Sequence, residues 1–182
     1  RHRDCRADDI GRGRRNASSA ERTADAYAAD LLMPAYLFKP VARAYPKLDF
    51  ATVRAIADVF DVSYTATAIR LVETGHAYAG LVCHDREGPK WFTSTPGVPE
   101  RWFPRKDLDE ESSAADVLSG RAGDNAGLTK IGADAWFDRA EAGKYEVLEQ
   151  TISIGSDEIL SLVVIADEEM LEEIETFSPR RR

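Results

Sequence analysis

The hydrophobic pattern of this chain changes period once, at Gly75/His76, and that change limits the folds open to it. Before it, apolar residues recur every three to four positions, as on helices. After it, they alternate or run in short blocks, as in strands. An all-helical part followed by a strand-rich part predicts an α+β protein, divided into residues 1–75 and 76–182. With 182 residues, 43% of them hydrophobic, the chain is long enough for one large or two small domains with a buried core.

Within the helical part, residues 1–17 are polar and basic, without apolar periodicity, and read as a loop. Ser18-Ser19-Ala20-Glu21 fits a capping box, a Ser followed three places later by Glu. Behind it Ala20, Ala24, Tyr27, Ala28, Leu31 and Leu32 recur at helical spacing and give a small-residue face suited to close approach by another helix. Pro34 should end that helix, because the residue before a proline is pushed out of the α region. Pro34 and Pro40 are each expected in the first turn of a following short helix. Asp49 should cap a helix that buries Val53, Ile56, Ala57 and Phe60. Ser63 should cap the next, burying Ala66, Ile69 and Val72 and ending at Gly75. The spacing is that of a helix-turn-helix pair.

The second part predicts a hairpin of residues 77–83 and 90–95, a short helix capped by Ser112, and a glycine-rich loop over 120–132. A three-strand meander should follow over 133–137, 145–154 and 158–165, and then an acidic helix from Asp167 to about Phe177.

Composition narrows the function. No apolar run approaches the roughly 20 residues needed to cross a bilayer, so no membrane-spanning role is expected. The formal charge of -8 argues against coating nucleic acid through bulk charge. Two cysteines, Cys5 and Cys83, are too few for a disulfide framework and suit a reducing, cytoplasmic setting. The chain opens on Arg1 with no signal-peptide pattern, as expected of an incomplete or trimmed product.

The segment Glu21-Arg22-Thr23-Ala24-Asp25-Ala26-Tyr27-Ala28-Ala29-Asp30-Leu31-Leu32-Met33-Pro34 resembles the ImmA/IrrE family of metallopeptidases. So does Val59-Phe60-Asp61-Val62-Ser63 with the Ala66, Ile69, Arg70 and Leu71 that follow. The resemblance covers residues 18–75. It implies a truncated zincin-like helical domain with its helical pair, and a zinc peptidase whose protein substrate is a helix-turn-helix transcriptional repressor. In such a site two imidazoles of a His-Glu-x-x-His helix and one later Glu hold zinc, leaving a fourth position for water. By position Glu21 matches the later ligand, and Asp25, one turn on, would support it from behind. Capping of Ser18 remains the other use of Glu21. The 182 residues contain no His-Glu-x-x-His, since their three histidines are His2, His76 and His84. The chain as it stands is therefore expected to be inactive.

The remaining candidates are weaker. Cys83, His84 and His76 lack a second pair at ligand spacing, and Cys83 suits a strand interior. The second helix of the pair offers DNA only Arg70, offset by Glu73, so direct nucleic-acid binding is not expected. Trp91-Phe92, Trp102-Phe103 and Trp136-Phe137 should each send one ring to the core and one to a surface or groove. Eight acids and no base lie between Asp157 and Glu175, a face that could dock a basic partner. A rival reading follows: a non-catalytic regulatory module that binds a repressor or a small ligand.

Overall fold

The computed structural model describes residues 27–172. Residues 27–32 are helical, and three helices follow: α1 (Ala35–Arg43), α2 (Phe50–Phe60) and α3 (Tyr64–Glu73). Pro34 separates the first two segments and stands as the N-cap of α1. Pro40 lies inside α1 rather than in its first turn, on the exposed side of the helix. Asp49 caps α2 by accepting the Thr52 amide at 2.8 Å, and Ser63 caps α3 through the Ala66 amide at 3.2 Å. Beyond α3, Gly75 takes φ +76° and donates to Val72, while His76 donates to Leu71. That pair of bonds is a Schellman ending, which needs a left-handed residue and so favours glycine. Ala66 is half-buried; Ile69 and Val72 are buried as expected.

Strands β1 (Ala79–Asp85) and β2 (Gly88–Ser94) form the hairpin. Its turn is only Arg86-Glu87, tighter than the sequence suggested, because the Asp85 carboxylate accepts the Glu87 amide at 2.8 Å and Gly88 supplies φ +127°. After it come α4 (Ser113–Leu118), β3 (Thr129–Gly132), β4 (Glu146–Ser153) and β5 (Ile159–Val164). The five strands form one antiparallel sheet in the order β2-β1-β5-β4-β3. The protein is α+β.

Two expectations fail locally. Residues 133–137 are not a strand: Ala133–Ala135 make a 3-10 turn. A strand would point Trp136 and Phe137 to opposite faces, whereas the turn lets both rings into the core. The third strand of the meander is instead Thr129–Gly132, inside the glycine-rich stretch. At the other end Asp167 caps through the Glu169 amide, but only a 3-10 turn, Glu168–Leu171, follows within the described residues.

Alternation along the strands builds two cores. Leu81, Cys83, Leu160 and Leu162 face the helices and pack with Met33, Phe38, Ile56 and Leu71. Val82, Val147, Ile159 and Val163 face the other way, under Trp102, Trp136, Phe137 and Met170. The helices of residues 27–75 and the strands after them thus share a single apolar layer. The hairpin rings divide likewise: Trp91 joins the helical side, Phe92 the other. The outer edge of β4 outruns the short β3, and there Thr151 and Ser153 donate their amides to the Asn125 and Asp124 side chains at 2.8 and 2.7 Å. No helix among the described residues is long and apolar enough to cross a membrane.

Candidate functional site

Glu21 and Asp25, the residues the family resemblance singles out, lie outside the described residues, as do His2 and Cys5. What is described is the end of their motif, residues 27–34. One side of it is fixed. Met33 is 1% exposed within the helix-side core, and Arg70 of α3 donates to Asp30 Oδ1 at 2.6 Å and to the Met33 carbonyl at 3.0 Å. The other side is bare: Tyr27 and Leu31 are 73% and 82% exposed, and Leu32, Tyr36 and Leu37 are exposed with them. The apolar face that the spacing assigns to helix–helix contact has no cover among the described residues.

Among the described residues no group of three or more His, Cys, Asp or Glu side chains is gathered to hold a metal ion. A zinc centre built on Glu21 would draw its ligands from outside these residues. Cys83 and His84 are adjacent in β1 and so point to opposite faces of the sheet. Burial pushes the Cys83 thiol up to about 12. The α2–α3 pair packs on the sheet and on residues 30–33, and its Arg70 is engaged in that contact.

The second face of the sheet holds a polar group that the sequence did not reveal. Glu149 of β4 is 2% exposed. Its Oε2 accepts the Ser112 hydroxyl at 2.8 Å and the Trp136 indole N–H at 2.7 Å, and its Oε1 accepts the Ser113 amide at 2.7 Å. The carboxylate thereby fixes the start of α4 and the ring of Trp136. Ser113 Oγ passes on to Asn125 Oδ1 at 2.8 Å, and Thr151 and Ser161 share a bond of 2.8 Å within the sheet. Beside Trp136, at 6.1 Å between ring centroids, lies His84, 1% exposed, with no hydrogen-bond partner for either ring nitrogen among the described residues. Burial, opposed by Asp85, pulls its pKa down to about 4, so the imidazole is neutral. A register shift between Cys83 and His84 adjoins it. The signal for this group was the single acid at an inward position of the apolar run 145–154, which only the strand register identifies as inward.

The chain matches no family model, and no curated protein sequence matches it.

Proposed function

We propose that this chain is part of an intracellular zinc metallopeptidase of the ImmA/IrrE kind that cleaves a helix-turn-helix transcriptional repressor. In this reading Glu21 is a zinc ligand and Asp25 its support, within the truncated zincin-like part of residues 1–75, and the strand-rich part follows over residues 76–182. The 182 residues alone do not hydrolyse peptides. Zinc, when bound, would supply an activated water; of this chain's residues Glu21 would hold the metal and Asp25 would support Glu21.

The observation that carries the reading is the uncovered face at Tyr27, Leu31 and Leu32. A helix pinned along one side by Met33 and Arg70, with large apolar side chains bare on the other, is a docking surface rather than a finished exterior. A zincin centre requires such a surface, because imidazoles on a second helix must be brought against the motif helix.

The test is to express the chain together with the coding sequence upstream of Arg1 in its gene, and with a neighbouring repressor. Bound zinc and loss of intact repressor are then measured. Both should disappear with Glu21→Gln. Equal zinc content and equal cleavage in that variant refute the ligand assignment.

One observation favours the non-catalytic alternative, a module that binds a repressor or a small ligand. His84 keeps two buried, unpaired ring nitrogens, and buried polar atoms ordinarily find a partner.

A further inference from the structure

We infer that β4 and Asn125 form a coupling element that ties the layer around Trp136 to the start of α2, on the opposite face of the sheet. The inference deepens the regulatory side of the proposed function, since α2 and α3 carry the contacts that hold the motif helix.

Consecutive residues of β4 look in opposite directions. Glu149 grips Ser112, Ser113 and Trp136 on the second face. Gln150, 3% exposed, reaches the helix side, where its Oε1 accepts the Phe50 amide at 2.9 Å. That amide opens α2 and has no partner within its own helix. Asn125 closes the circuit between the two. Its Oδ1 accepts Ser113 Oγ and the Thr151 amide, and its carbonyl accepts Gln150 Nε2 at 3.1 Å. From Phe50 the chain of bonds continues, because Tyr64 of α3 donates its hydroxyl to the Phe50 carbonyl at 2.8 Å. Further along α3, Arg70 holds Asp30 and Met33.

The two ends of this path are buried: Glu149 with Ser112 and Trp136 on one face, and Gln150 with the Phe50 amide on the other, so there a displaced member leaves its neighbour unpaired. Asn125, half-buried at the sheet margin, joins the ends through its bonds to Ser113, Thr151 and Gln150. A shift of Trp136 or of the start of α4 therefore moves Asn125. Asn125 in turn sets where the Gln150 amide can sit and whether the Phe50 N–H is paired.

The test uses amide hydrogen exchange in the full chain and does not depend on zinc, so its failure is separate from failure of the peptidase reading. Phe50 reports the coupling. Thr52, bonded to Asp49 and off the path, is the internal reference. Asn125→Ala and Glu149→Gln should each raise exchange at Phe50 at least tenfold relative to Thr52. Val147→Ala, a buried β4 substitution off the path, should scale the two amides together. Should either large variant fold poorly, Ser113→Ala removes a single hydroxyl and should shift the same ratio in the same direction. Coupling is reciprocal, so Gln150→Leu should move the indole N–H resonance of Trp136. An unchanged Phe50-to-Thr52 ratio in Asn125→Ala or Ser113→Ala, or an equal change in Val147→Ala, overturns the inference.

Discussion

Trp136 donates its indole N–H to Glu149 Oε2 across 2.7 Å, with both side chains almost wholly out of solvent. A buried carboxylate with no cation beside it among the described residues is tolerable because Ser112 and the Ser113 amide complete its hydrogen bonding.

That arrangement makes Glu149 expensive to remove. Glu149→Ala should cost about 3–5 kcal/mol, because two buried donors and one half-buried donor lose their acceptor together with the side chain's packing. Glu149→Gln keeps the shape and should cost less. Urea unfolding at pH 7 checks both; a loss below about 1 kcal/mol in the alanine variant would show the carboxylate to be dispensable.

His84 predicts how stability depends on pH. Its folded pKa of about 4 lies below the unfolded value near 6.5, so between those values the unfolded chain binds the extra proton. The contribution is complete above pH 6.5 and fades as pH falls toward 4, by about 3 kcal/mol in all. Substituting His84→Leu removes this part of the slope and should leave stability at pH 7 equal or higher, since two unpaired ring nitrogens disappear. Denaturation midpoints at pH 7 and pH 4.5, compared between the two proteins, decide it.

Cys83 should be inert while the protein is folded. Its thiol is buried and its pKa is pushed up to about 12, so almost no thiolate exists at pH 8. In a Cys5→Ser background, labelling by a thiol reagent should proceed only at the rate of unfolding. Prompt labelling in native buffer would contradict the buried placement.

Two glycines should respond differently. Gly75→Ala forces a side chain into the left-handed region that ends α3 and should cost about 1 kcal/mol. Gly123→Ala has no positive φ and nothing within 4 Å of the added carbon, and it should be neutral or stabilising by about 0.5 kcal/mol. Thermal melts of the pair give the comparison.

Local chemistry made part of this fold legible. The caps at Asp49, Ser63, Ser112 and Asp167, and the glycine at 75, act within four residues of themselves, and each stands where the spacing placed it. Partners far along the chain decided the rest. Thr129–Gly132 becomes a strand because β4 lies beside it, against the weak propensity of a glycine-rich stretch. Trp136 and Phe137 give up alternation because one pocket takes both rings. Glu149 reads as an ordinary strand acid until the register shows that it points inward toward Ser112. For the metal-ligand candidates the position is reversed: Glu21 and Asp25 are conspicuous in the sequence and lie outside the described residues.

The side chains of Asp124 and Asn125, seated on amides that β3 is too short to reach, have a consequence for how the protein behaves in a crowd. A foreign strand joining that margin would need those same donors, and would have to evict two side-chain acceptors to win them. The margin is thereby closed to runaway addition of further copies, and stays closed without the lysine or proline that edge strands more often use.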